Sequence, residues 1–207
     1  MPFSRLLGIL ILCIIAHTSA SQEISFRYRV DRMAIFHGDS QVSPYVFSEL
    51  CEFSEGLTWA AKGELYGYVD SFGKEVIPFI YHDVRSFRHG LAFVSKDSGY
   101  HFGLINQKGD SLCPADYSQA LAFQNGHAAV ASDSLWGLLN QNGNLILDTL
   151  YDHPPVFTNE RFIIVSKKSH FGVVSLDGEV LHPFVFDYIS PYGEAWIGRD
   201  KYWLNLR

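Results

Sequence analysis

Short apolar runs separated by polar turns fill the chain, and their alternation is that of half-buried β-strands. Ile24, Phe26, Tyr28 and Val30 alternate with polar neighbours. Further along, β-type runs stand at residues 91–94 (Leu-Ala-Phe-Val), 128–130 (Ala-Ala-Val) and 162–165 (Phe-Ile-Ile-Val). A polar loop follows each, at residues 95–99, 132–134 and 166–169, and then a second apolar run such as Phe102-Gly-Leu-Ile105. Two β runs joined by a short polar loop predict a hairpin.

The hairpins recur on a fixed ruler. Its origin is an aromatic-glycine pair: Tyr66-Gly67, Phe102-Gly103, Trp136-Gly137 and Phe171-Gly172. Six residues after each pair's glycine comes another, Gly73, Gly109, Gly143 and Gly178. Fourteen after it comes an aromatic, Tyr81, Tyr117, Tyr151 and Phe186. Twenty after it comes one more, Phe87, Phe123, Phe157 and Tyr192. Self-similarity at about 35 residues signals a repeat array, a solenoid or a propeller. The slack between copies falls in one polar loop, so each repeat is a rigid block with one adjustable connection.

The block explains its own turns. Asp70, Asn106, Asn140 and Ser175 open a four-residue segment that closes on the second glycine. A short polar side chain in first place bonds the backbone ahead, and glycine in fourth place accepts positive φ, which predicts a type I turn between strands. A third short strand follows, as at Glu75-Val-Ile-Pro78, and Pro78, Pro114 and Pro183 are expected to end it, because proline cannot serve a central ladder. The glycine after the ring lets a neighbouring backbone or ring lie close. The rings, repeated in one column, are expected to stack along the array, each burying about 150–250 Å².

The resulting expectation is an all-β fold: a tandem array of about five three-stranded repeats of ~35 residues. An open, solenoid-like arc is favoured over a closed, propeller-like ring, since the N-terminal segment has strands of its own. Residues 21–53 read as a degenerate N-terminal repeat, a cap with Met33 twenty residues before Phe53 and no ruler glycine. An outer face without a neighbour makes terminal repeats atypical. Residues 53–192 hold four good copies, and residues 192–207 half a repeat, with Tyr202 in the ring's place and Trp203 in the glycine's.

Residues 1–20 read as an address rather than structure. Arg5, an apolar run from Leu6 to Ala16 and the small residues Thr18-Ser-Ala20 fit a secretory signal cut after Ala20. The run is shorter than the ~20 apolar residues of a membrane span. The expectation is therefore export to periplasm, cell surface or medium, with an uncleaved N-terminal anchor as the alternative and no stable span after cleavage. Cys51 and Cys113 remain in the exported part and fall in different columns, so two buried thiols are favoured over a disulfide, although export permits one.

Charge and chemistry narrow the function. The chain has 16 Lys and Arg against 22 Asp and Glu, spread along its length. Nucleic acid as the main partner calls for a basic stripe that is missing. No nucleophile elbow, zinc-binding helix motif, paired Cys-x-x-Cys or phosphate-cradling loop occurs, so no catalytic, metal or cofactor-binding residue is nominated. His101 and His170 hold the same place in two repeats, just before the ring, and so read as structural. Asp83, Asp152 and Asp187 recur near the third-strand aromatic and read as turn acceptors; a catalytic pair would be unique to one place.

Together the aromatic-glycine pair, the following Leu-Ile-Asn or Tyr-Val-Asp, the later glycine, the Pro-x-x-Tyr and the Phe-x-x-Gly-Leu-Ala resemble the WG β-repeat family, also called KWG repeats. Only Trp136-Gly137 has the tryptophan of the name, and the first and last copies lack the glycine. The resemblance implies a bacterial, often exported or surface-associated protein and transfers no catalytic residue. A binding surface is expected where repeats differ, on one face of the array. Trp59 and Trp196 are the candidate binding residues, with the loops at residues 96–100 and 166–170 beside them; extra core rings are the plainer reading of both tryptophans. The function expected is a non-catalytic interaction module for a protein or an envelope glycan. The alternatives are a glycan-directed hydrolase on a propeller-like ring and a structural envelope protein.

Overall fold

The computed structural model describes residues 23–98, 101–158 and 161–206. The segment read as a signal lies outside them, as do Gly99, Tyr100, Asn159 and Glu160. The described residues form six antiparallel sheets and no helix, and each sheet is a meander whose neighbours in space are neighbours in sequence. None closes into a barrel. The first sheet is Ile24–Arg29, Arg32–His37 and Ser40–Gln41. The second is Glu49–Leu50, Leu57–Lys62, Leu65–Asp70 and Glu75–Tyr81. The third, fourth and fifth repeat that pattern, starting at Asp83–Val84, Gln119–Ala120 and Val156–Phe157. The sixth is Tyr188–Ile189, Glu194–Ile197 and Asp200–Trp203. Two compact units result: one runs through Ser98 and takes in Ile105–Asp110, the other runs from Ser111 and takes in the segment ending at Leu104.

A repeat is thus a three-stranded block preceded by a two-residue strand. That extra strand, too short to carry a periodic signal, pairs with the first arm of the hairpin, as Glu49 with Ala61 and Leu50 with Ala60. Between them the chain turns tightly. Ser54 and Leu57 exchange both backbone bonds across Glu55 and Gly56, whose φ values are 54° and 85°. Two successive positive φ angles define a type I′ hairpin, for which Asn-Gly is a favoured pair. Gln124 and His127 do the same across Asn125-Gly126.

The second turn of each repeat has the expected polar clasp. Asn140 Oδ1 accepts from the N–H groups of Asn142 and Asn144 at 2.9 and 3.0 Å, and Gly143 closes the turn at φ 81°. Asp70 and Asn106 repeat the pattern, and Ser175 Oγ accepts from Glu179 N. Replacing Asn140 by alanine removes two acceptors at an exposed turn. At about 0.5–1.5 kcal/mol per net hydrogen bond, less where water substitutes, a loss of about 1 kcal/mol is expected, visible as a lower denaturant midpoint at unchanged slope.

The third strand departs from expectation. Pro78 does not end it: the strand runs on to Tyr81, with Pro78 exposed in its middle. Proline is tolerated because this is the sheet's outer strand and carries a bulge, where pairing jumps from Tyr68↔Ile77 to Tyr66↔Tyr81. The slip folds the strand's backbone over the ruler glycine. A Cβ on Gly67 would lie 2.7 Å from Ile77 O, and one on Gly137 would lie 2.5 Å from Leu147 O. Strands Ser111–Tyr117 and Val180–Phe186 likewise run through Pro114 and Pro183.

Four cores among the described residues lie between consecutive sheets, and a smaller cluster of Ala129, Ala131 and Trp136 lies on the fourth sheet alone. On strand Leu65–Asp70 the side chains alternate: Tyr68 packs with Val84, Phe87 and Val94 of the next repeat, while Val69 packs with Ile35 and Phe47 before it. Leu138 and Leu147 meet Ile163, Val165 and Val174, and Val173 and Phe186 meet Ile189 and Ala195. Of the ruler rings, Tyr81, Phe87, Phe102, Tyr117, Phe123, Trp136 and Phe186 are buried and Tyr66, Tyr151, Phe157 and Phe171 half-buried, whereas Tyr192, expected to be buried like the rest, is exposed at the start of the final half repeat. Burial also has a titration consequence. It raises the phenols of Tyr66, Tyr68, Tyr81, Tyr117 and Tyr151 above their ordinary 10.0, and the thiol of Cys113 above 9.0. A raised folded value means the native state holds protons that the unfolded chain has released. The stabilisation is complete below the ordinary values and is lost as pH climbs through the folded ones. Thermal melts at stepped pH should show a melting temperature whose fall begins above about pH 9, near the thiol's ordinary value, and steepens past about 10.

Candidate functional site

Two equivalent junctions, one in each unit, differ in what fills them. Between the second and third sheets, Glu55 at the tip of its type I′ turn reaches the next repeat. Its Oε1 accepts from His89 N at 2.5 Å and its Oε2 from Gly90 N at 2.7 Å. The Gln107 amide adds bonds of 3.3 Å to Glu55 O and Oε2. A glutamate held at positive φ goes against local preference, and its side chain is what bolts this junction.

Between the fourth and fifth sheets the bolt is missing. Asn125 stands in Glu55's column and Leu176 in Gln107's. A cleft of about 360 Å³ opens there, lined by Asn125, His127, Phe157 and Leu176. His127 occupies the column of Leu57 and Leu91, directly after the turn glycine. Its ring lies against Phe157, with centroids 5.8 Å apart and planes at 28°. His127 Nδ1 is buried without a hydrogen-bond partner, which holds for no other side-chain atom among the described residues. Leaving a buried polar atom unmet costs about 1–3 kcal/mol, and such an atom calls for an explanation. Among the described residues, no charged side chain lines the cleft.

The residues nominated from sequence lie elsewhere. Trp59 is half-buried and packs edge-on against Tyr66 at 5.6 Å, beside the core of its own junction. Trp196 is half-buried with Lys201 Nζ 5.5 Å from its ring, and Lys201 also approaches Trp203, which is 71% exposed. The structure brings neither tryptophan to the cleft. In the first variable loop Lys96 Nζ lies 5.7 Å from the Tyr81 ring, and the loop's last two residues are outside the described set. In the second, His170 Nδ1 meets Lys168 O at 3.0 Å. Asp152 and Asp187 accept from Ser169 N and Gly198 N, the tips of the hairpins that follow them, and Asp83 accepts from Arg85. Ser166 Oγ lies 2.8 Å from His153 Nδ1, but Ser166 is only 1% exposed and the nearby Asp152 carboxylate is engaged by Ser169. That hydroxyl has no approach for a substrate.

Among the described residues no group of three His, Cys, Asp or Glu side chains is placed to hold a metal ion. Cys51 and Cys113 are both free thiols, the former half-buried and the latter buried. No helix among the described residues is long and apolar enough to cross a membrane. Sequence reasoning passed over the cleft, yet its signal was present: an imidazole where the two preceding repeats hold Leu57 and Leu91.

The family model described as WG containing repeat matches residues 66–100, 102–136 and 136–168 in tandem. No curated protein matches the chain. Among solved structures the chain is similar to Kluyveromyces lactis Hsv2 at 12% identity and a TM-score of 0.45, over 79% of this chain and 61% of that one. The chain therefore spans about three fifths of that protein's length. It is also similar to the N-terminal domain of Nup159, at 9% identity and a TM-score of 0.43, over 85% of this chain and 61% of that one. A third likeness, to virginiamycin B lyase from Staphylococcus aureus, has 12% identity and a TM-score of 0.35 over 92% and 84% of the two chains.

Proposed function

The chain belongs to the family of WG containing repeats, and from that premise we propose that it is an exported, non-catalytic interaction module whose partner is a protein or an envelope glycan. One observation carries this reading. Most side chains that recur from repeat to repeat are consumed in cores, turns and close backbone contacts, whereas Asn125, His127 and Leu176, which replace the Glu55, Leu57 and Gln107 of the equivalent junction, line the cleft between the fourth and fifth sheets beside the recurring Phe157. In repeat arrays, binding surfaces form where the units differ. The leader-like residues 1–20 support export.

The test is capture from envelope extract of the source cells with tagged protein as bait, followed by protein identification and sugar analysis. One protein or one glycan is expected to be enriched, and to be lost when His127 is replaced. Empty eluates overturn the reading. So does turnover of a generic glycoside or ester substrate that a single point substitution abolishes.

A further inference from the structure

We propose that the cleft formed by Asn125, His127, Phe157 and Leu176 binds one neutral sugar ring, and this rests on the interaction-module reading above. Three observations select that chemistry. First, the cleft is small: about 360 Å³ lies at the lower end of the range for small-ligand sites. It fits a single ring rather than an extended chain. Second, the described lining is half polar and includes no Asp, Glu, Lys or Arg: it pairs an amide and an imidazole with a phenyl ring and a leucine. A charged ligand would find no carboxylate, ammonium or guanidinium among these four side chains to replace its lost hydration. A wholly apolar one would leave the amide and the imidazole unmatched. A pyranose offers both a C–H face for the ring and leucine and a rim of hydroxyls that donate and accept. Third, the polar groups are where the repeat rule calls for something else. The corresponding positions of the first full repeat hold Glu55 and Leu57, and the junction there is closed by the chain's own carboxylate. Here Asn125-Gly126 meets the type I′ turn's preference and carries no carboxylate, so the departure lies in His127, which brings a polar ring into the place of Leu57 and Leu91 at the cost of an unpartnered Nδ1. Departures from local rules without a folding benefit mark functional positions.

The same chemistry is present in a free monosaccharide and in a residue within a glycan chain, so the test has both arms. Isotope-labelled protein is titrated with glucose, galactose, mannose and N-acetylglucosamine, and separately with neutral oligosaccharides of each, while backbone and imidazole signals are followed. The expected result is saturable shifts centred on residues 125–127, 157 and 176. A free-sugar ligand shifts them with the monosaccharide alone; a glycan ligand needs the oligosaccharide. The decisive variant is His127→Leu, which restores the residue found in the two preceding repeats and so keeps the fold. It should weaken binding at least tenfold. Asn125→Gly, which keeps the positive φ, should weaken it severalfold. Absence of shifts with every neutral sugar overturns the proposal, as does binding that His127→Leu leaves unchanged. The broader reading fails separately: a protein partner captured by the wild type overturns the sugar assignment alone, whereas empty capture together with silent titrations overturns both.

Discussion

Replacing Tyr68 by alanine should destabilise the fold by about 3–5 kcal/mol, the cost of deleting a large ring from a closed core. Tyr68 is 0% exposed, and its ring lies 4.7 Å from that of Phe87 among Ile77, Val84 and Val94. Its hydroxyl donates to Arg85 O at 2.7 Å. The ring therefore ties the second sheet to the start of the third by packing and by one buried hydrogen bond. In a chain of this size 1 kcal/mol corresponds to roughly 2–4 °C, so the melting temperature should drop by roughly 10 °C. Tyr68→Phe separates the two contributions, since it keeps the ring and removes only the hydroxyl's bond to Arg85 O, and about 1 kcal/mol should be lost. A melting curve for Tyr68→Ala within a degree or two of wild type would remove this ring from the core.

Gly137→Ala is the second large effect and works by the opposite means, adding one carbon where backbone already stands. The new Cβ would lie 2.5 Å from Leu147 O, 3.0 Å from Asp148 C and 3.0 Å from Thr149 N. All three are main-chain atoms of the bulged outer strand, so no side chain can swing away and the strand itself must lift. Overpacking of this kind costs about 1–3 kcal/mol and sometimes more. The equivalent Gly103 gives a built-in control, because there the nearest atoms stand at 3.2 Å. Gly103→Ala should cost clearly less than Gly137→Ala in matched thermal melts, and equal costs would show that the bulge is not what excludes a side chain.

Most of the architecture was legible because it is written several times over. One Tyr-Gly pair says little, but four aromatic-glycine pairs with common offsets to the next glycine and the next rings specify a repeat. The clasp of Asn140 and the positive φ of Gly143 follow from residue chemistry alone. The third strand was misread at Pro78 because the rule against proline applies to paired positions, and a bulge on an outer strand leaves that nitrogen with nothing to donate to. The two-residue strands such as Glu49–Leu50 escaped because two residues have no period. The cleft was harder still. Asn125, His127, Phe157 and Leu176 are spread over two repeats, and their adjacency depends on how successive sheets stack. Trp59 and Trp196 drew notice by size, whereas His127 stood out only against Leu57 and Leu91 in its own column.

Because these cores are shared by consecutive sheets, cooperativity within each compact unit has to be handed from one shared interface to the next. Opening of one interface need not open the others, so amide exchange under native conditions should resolve several free energies of opening rather than one. A lesion such as Tyr68→Ala should then speed exchange most in the strands at residues 57–70 and 91–95, while the amides of 162–175 keep their protection.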